Sequence, residues 1–417
     1  MPKIRNIFAR EILDSRGNPT VEALIFLDNG LGVKAAVPSG ASTGKYEALE
    51  LRDNDQNRYA GKGVLTACRN IEEIIAPVLI DHELNPEKID QIMIDLDGTK
   101  NKSKLGANAI LAVSLAVARA AARLVGLPLY KYLRVFYQLP DVDYRMPVPM
   151  FNVINGGVHS DSGLDVQEFM IVPAIEASFS QRLKIGVEVF NALREILKAK
   201  KLTFAVGDEG GFAPKLKKTE NVFDLLTRIS DFTKHQLGNE VFFGVDVAAS
   251  IFHNHEKGKY LFEKKNRTGE EMAEIYWKWF KSYPMISIED PFAEDDWDLW
   301  VALTEKINNL ESKLIIGDDL FTTNIKRFQT GIEKKAANAI LIKLNQIGTL
   351  SETMKCISLA RDNNYQIVIS HRSGETNDDF ISDLAVAVRA EFIKSGAPNR
   401  GERVAKYNRL AEIEEEL

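Results

Sequence analysis

The sequence predicts an α/β protein in two parts: a smaller N-terminal α+β domain and a C-terminal α/β barrel. Three observations lead there. Alternating apolar residues over 4–13, 20–27 and 31–37, with Asp28-Asn29-Gly30 between the last two, read as a three-stranded antiparallel meander. After about residue 140, short β-branched runs alternate with helical stretches, the pattern of strand–helix crossovers in a parallel sheet. Each of the later runs is followed at once by ionisable residues, which fits the mouth of a barrel. The division falls into residues 1–140, an N-terminal capping domain, and residues 141–417, the catalytic barrel.

The elements follow in order. Residues 65–78 carry amphipathic helical spacing. Pro86 suits a first helical turn, with Ile89, Ile92 and Leu96 on one face. Residues 106–124 are apolar almost all round and so predict a buried helix, stopped by Gly126 and Pro128. In the second part, strands are expected at 204–206, 243–245, 286–288, 314–316, 339–342 and 366–369. Helices are expected at 270–280 and 299–308.

Composition narrows the function classes. The 417 residues are 45% hydrophobic and 27% charged, as in ordinary globular enzymes. Net charge is −6 with scattered Lys and Arg, which argues against a dedicated nucleic-acid surface. Two cysteines, Cys68 and Cys356, are too few for a disulfide scaffold and read as buried hydrophobes. The first residues lack an apolar signal core, and no apolar run is long enough for a membrane span. A cytoplasmic enzyme is the expectation. The acidic end, Glu412 to Glu416, reads as a solvated helix, and His82, His235, His253 and His255 as surface residues.

The chemistry is written at strand ends. Asp246, Glu289-Asp290, Asp318-Asp319, Lys343 and His371-Arg372 each follow a predicted strand, 25 to 43 residues apart. A barrel of roughly 250 residues and eight units averages about 31 per unit. Adjacent acids repel and need a cation, and carboxylate oxygens favour Mg²⁺. A cation near Lys343 would lower its pKa and free it to act as a base. The pattern therefore points to Mg²⁺-assisted proton abstraction beside a carboxylate. Asp290 and Asp319 read as supports for the acids beside them.

The loop Gly40-Ala41-Ser42-Thr43-Gly44-Lys45 raises a different possibility, a nucleotide-binding loop. It has three residues between glycines rather than four, and Tyr46 where Ser or Thr belongs, so ATP binding is not indicated.

Ordered blocks along the whole chain are similar to the enolase family. They include LDSRGNPTVE from Leu13, PSGASTGKYEALELRD from Pro38, INGGVHS from Ile154 and VGDEGGFAP from Val206. SIEDPFAEDDW from Ser287, KLNQIGTLSET from Lys343, SHRSGET from Ser370 and IKSGAP from Ile393 continue the series. The resemblance implies interconversion of 2-phospho-D-glycerate with phosphoenolpyruvate and water, in glycolysis and gluconeogenesis. It implies two Mg²⁺ per site, the first held by Asp246, Glu289 and Asp318 and the second by Ser42 on a mobile lid. Lys343 would be the base at C2 and Glu209 the acid at the C3 hydroxyl, with the neighbouring Glu168 raising the pKa of Glu209. His159 and Glu168 line the same site, and Gln167, His371, Arg372, Ser373 and Lys394 bind substrate. A homodimer or octamer is implied.

Departures from the family pattern are Phe151, where Met is frequent, Val158 and Ser160 around His159, and a 134–145 connection without paired glycines. The alternatives are a related enzyme acting on a non-phosphorylated acid, or an added surface or scaffold role. A single strand-end lysine and the SHRSG block argue for the phosphorylated substrate.

Overall fold

The structure is a computed structural model and describes residues 2–40, 44–140, 142–174 and 176–417. The meander forms as expected: β1 (Ile4–Leu13), β2 (Pro19–Leu27) and β3 (Gly32–Ala36) pair antiparallel in sequence order. Helix Ala107–Leu124 packs against β2 and β3. It is apolar and long enough to cross a membrane by composition, but 83% of it is buried, so it is the core of this domain. The helical stretch from Leu65 contains a π-turn at Asn70–Ile75. Pro77 lies just beyond it; without an N–H and with its ring in the way, it prevents a regular ladder there. Helix Pro86–Asp97 starts on Pro86, capped by the Asn85 side chain.

The second part closes into a barrel of eight strands. They are β4 (Val148–Asn155), β5 (Glu168–Pro173), β6 (Val241–Asp246), β10 (Met285–Glu289), β11 (Leu314–Gly317), β12 (Ala339–Ile342), β13 (Gln366–Ser370) and β14 (Phe392–Lys394). Between β6 and β10 a small separate sheet intervenes: β7 (His253–Asn254), β8 (Lys259–Phe262) and β9 (Lys265–Arg267). Alternate residues such as Val148, Met150, Ile286, Leu314, Ile316, Leu341 and Val368 point inward and form a separate inner core. The opposite faces pack against the surrounding helices. Helices Phe179–Ala199 and Gly269–Ser282 both begin with capping boxes, Ser178 with Gln181 and Thr268 with Glu271.

Three expectations change. The sheet is not all parallel: β5 runs antiparallel to both β4 and β6, while the other pairs are parallel. The chain from Gly156 to Gln167 reverses without an α-helix, and a parallel return would need a covering crossover. Residues 204–206 are not a barrel strand; Val206 makes only an isolated bridge with Phe212, and Phe204 stands 48% exposed. The first, second and last barrel strands instead come from segments with no clean periodicity, one interrupted by Pro149 and one only three residues long.

Two surface assignments also change. His253 is largely buried, 3.7 Å from Asp296 and tilted against the Tyr260 ring. The acidic C-terminal helix Gly401–Glu416 buries Arg403, Lys406, Tyr407, Leu410 and Ile413. Its Glu414 accepts from Ser180 N at 2.9 Å and so caps helix Phe179–Ala199. Cys68 and Cys356 are buried and free.

Candidate active site

The barrel gathers the predicted residues on one rim. Asp246 and Glu289 end β6 and β10 and are register partners. Asp318 follows β11, Lys343 follows β12, and His371 and Arg372 follow β13. Lys394 ends β14 opposite Ser370. Because β5 is reversed, its first residue reaches this rim, and Glu168 pairs with Asp246. Glu209 arrives on the Gly207–Gly210 turn between helices. One cavity is lined by His159, Gln167, Glu168, Glu209, Asp246, Asp318, Lys343, His371, Arg372, Ser373 and Lys394.

Lys394 is the hub of the floor. Its Nζ lies 2.9 Å from both Glu289 carboxylate oxygens, 3.1 Å from Asp246 Oδ2 and 3.0 Å from Glu168 Oε2. Burial disfavours the ammonium, but the three carboxylates outweigh it and hold its pKa well above the usual lysine value. Glu289, fully buried beneath it, is pushed well up by burial and then by the charge of Asp246.

Lys343 Nζ donates to Asp318 Oδ2 at 2.5 Å. Gln346 Nε2 donates to the other oxygen of Asp318 at 2.8 Å and is itself oriented by Thr323. Asp290 accepts from the backbone N–H groups of Asp318 and Asp319, the supporting role expected of it. The Lys343 pKa answers to opposing causes in this arrangement. Burial pulls it down, but the Asp318 carboxylate overrides that and leaves it raised. The neighbouring cations Arg372 and Lys394 act in the expected direction but are weaker than this direct contact.

Glu209 sits between opposing influences. His159 Nδ1 lies 3.6 Å from Glu209 and 3.8 Å from Glu168, and Asn152 Nδ2 donates to Glu209 Oε2 at 2.8 Å. Burial alone would raise Glu209. The facing rings of His159 and His371 and the charges of Arg403 and Lys394 outweigh it and hold Glu209 well below the usual carboxylate range. Burial and the adjacent Glu209 charge push Glu168 well up instead.

Arg372 reaches across to the N-terminal domain. Its Nη1 donates to Glu47 Oε2 at 2.8 Å and to Asn345 Oδ1 at 3.0 Å. Gly44 N donates to Glu47 Oε1, which ties the downstream end of the glycine loop to the same carboxylate. Gln167 Nε2 donates to Asp246 Oδ2 at 3.2 Å. Ser42, the expected second-metal ligand, lies outside the described residues. The sequence reading missed Glu47, Asn152, Asn345, Gln346 and Arg403. Glu47 sits in the STGKYE stretch and Asn345 and Gln346 in KLNQIGT, so proximity to those motifs was their signal. Arg403 had only its place on the buried face of an amphipathic helix.

The donor set fits a hard divalent cation. Glu168, Glu209, Asp246, Glu289 and Asp318 are buried together against the ammonium groups of Lys343 and Lys394. Ligand atoms of Asp290, Asp318 and Asp319 lie within 4.8 Å of one another, as do those of His159, Glu168 and Glu209. Burying several carboxylates costs several kcal/mol each unless cations compensate. Oxygen donors without thiolates select Mg²⁺ over softer metals.

The fold and this rim define an α/β-barrel enzyme for acid–base chemistry on an anionic substrate beside a metal ion. Residues 4–133 match the family model described as enolase, N-terminal domain, and residues 143–417 that described as enolase, C-terminal TIM barrel domain. The enolase of Elusimicrobium minutum (strain Pei191) is 54% identical over 417 residues, which is 100% of this chain and 97% of that protein. The chain belongs to the enolase family, and with that membership comes dependence on Mg²⁺.

Proposed function

We propose that the chain dehydrates 2-phospho-D-glycerate reversibly to phosphoenolpyruvate and water, with Lys343 as base and Glu209 as acid. The observation that carries these roles is that both line one cavity whose floor is an acidic cluster held by Lys394. Asp246, Glu289 and Asp318 would hold one Mg²⁺ and Ser42 a second. Bound there, the metal supplies positive charge that favours both a neutral Lys343 and the negative charge developing on the substrate carboxylate.

Lys343 Nζ takes the C2 proton, and the C–H electron pair becomes the C2–C3 double bond. The C3–O bond breaks, and the leaving hydroxide takes a proton from Glu209 to become water. His159, 3.6 Å from Glu209 and 3.8 Å from Glu168, lines the acid side of the site with Glu168. Lys394 stabilises the charge that builds beside C2. Arg372, Ser373 and Lys394 bind phosphate and the nearby carboxylate, and Gln167 orients the substrate against Asp246.

We place the domain division at 140/141, between the two matched segments, and the enzyme in the cytoplasm as a homodimer or octamer. A coupled assay tests the reaction. Mg²⁺-dependent phosphoenolpyruvate formation is expected. Its absence, with turnover of an unphosphorylated acid, would replace this reading with that of a related barrel enzyme.

A further inference from the structure

Arg403 lies on helix Gly401–Glu416, which follows the last barrel strand and carries none of the strand-end residues, yet it is 0% exposed directly behind the acid arm. Its Nη1 donates to His371 Nδ1 at 2.7 Å and to the Arg372 carbonyl at 2.7 Å. Its Nη2 donates to the Ser373 carbonyl at 2.6 Å and the Asp208 carbonyl at 3.2 Å, with Ser15 Oγ at 3.5 Å. Nε lies 3.4 Å from Glu402 Oε1. Both Nη groups of one planar fork are thus engaged by fixed partners, while Nε makes only the longer ion-pair approach to Glu402.

Guanidinium is only a donor, so His371 Nδ1 must accept. A neutral imidazole that accepts at Nδ1 carries its proton on Nε2. That Nε2 faces Glu209 Oε1 at 3.8 Å. Burial also keeps the ring neutral, pushing its pKa well below the usual histidine value. The same guanidinium grips the carbonyl of Asp208, the residue just before Glu209. One side chain therefore sets both the backbone that carries the acid and the ring that faces it.

We propose that Arg403 is a positioning residue that holds His371 as its Nε2–H tautomer aimed at Glu209, and so keeps the acid arm competent without touching substrate. The proposal rests on the acid role of Glu209. A lysine has the charge but only one donor atom, and cannot span His371, Ser373 and Asp208 together.

The first test is ¹⁵N NMR of ring-labelled histidine in the native enzyme, assigned with His371→Gln. An Nε2–H pattern for His371 supports the proposal; an Nδ1–H or cationic ring overturns it, whatever Glu209 does. The second compares Arg403→Lys and Arg403→Gln, both checked for native circular dichroism. Expected is a fall in kcat of about 10²-fold, the loss typical of removing acid–base assistance, with exchange of the substrate C2 proton within threefold of native. If C2 exchange falls in parallel with turnover, or Arg403→Lys is fully active, the positioning role is wrong. Glu209→Gln run alongside separates the outcomes, because normal turnover there would remove the acid reading itself. A variant that fails to fold leaves the native-enzyme NMR result decisive.

Discussion

Lys394 Nζ meets both oxygens of Glu289 at 2.9 Å, in a place where neither residue has more than slight contact with water. A buried pair broken from one side leaves an uncompensated charge that costs about 3–5 kcal/mol. Lys394→Met is therefore expected to lower stability by about that amount in chelator-treated protein. Excess Mg²⁺ should return part of the loss, since a bound cation replaces the missing charge. Chemical denaturation with and without metal checks this; an equal loss in both conditions would contradict it. Turnover should collapse in either case.

Asp90 ties the two parts of the chain, accepting from Ser351 N at 2.9 Å and Ser351 Oγ at 2.6 Å. Burial pushes its pKa from 3.8 up to about 6, against the partial relief of those bonds. A raised carboxyl pKa means the folded state prefers the protonated form. Its contribution is complete below pH 3.8 and is lost as pH rises through about 6. The full effect is about 3 kcal/mol, at 1.36 kcal/mol per pKa unit. Asp90→Asn should flatten this part of the stability curve between pH 4 and 7. A variant with the native slope would show that Asp90 does not titrate in that window.

Phe151, the departure from the family's frequent Met, packs against Gly186 and the Tyr407 ring at 4.9 Å. A Cβ added at Gly186 would come within 2.3–2.7 Å of three Phe151 ring carbons. Gly186 is mid-helix, where alanine ordinarily gains about 1 kcal/mol. Overpacking against a rigid buried ring costs about 1–3 kcal/mol, so Gly186→Ala should be destabilising on balance. Phe151→Met in the same chain should relieve the clash, giving a favourable coupling in a double-mutant cycle. Additive effects would mean that the ring moves aside.

Ser42→Ala should weaken the second metal and slow turnover while first-metal binding stays near native. Isothermal titration with Mg²⁺ in the presence of substrate distinguishes the two sites. Equal weakening of both would count against a separate Ser42 ligand.

The sequence was most legible where each residue answers to one physical demand. Strand-end acids at 246, 289 and 318, and Lys343 and His371-Arg372 after their strands, follow from periodicity and barrel geometry alone. The reversal of β5 was hidden because EFMIVP reads equally well in either direction; direction is set by the short return from Gly156 to Gln167. Phe204 to Val206 looked like a strand because local composition does not report whether a pairing partner is present. Protonation was the least legible property. The pKa directions of Lys343 and Glu209 depend on a 2.5 Å contact to Asp318 and on side chains that converge on Glu209 from four separate segments, those of His159, His371, Lys394 and Arg403.

The proposed division of proton work gives C2 to Lys343 and the C3 hydroxyl to Glu209. Its most direct measurement is solvent deuterium entry at C2 of 2-phosphoglycerate in Glu209→Gln and Lys343→Ala, compared with net phosphoenolpyruvate formation. Glu209→Gln should exchange C2 hydrogen while elimination falls by about 10²–10⁴-fold, the usual worth of a positioned acid. Lys343→Ala should lose exchange and elimination together. Exchange persisting in Lys343→Ala, or near-normal elimination in Glu209→Gln, would contradict the assignment.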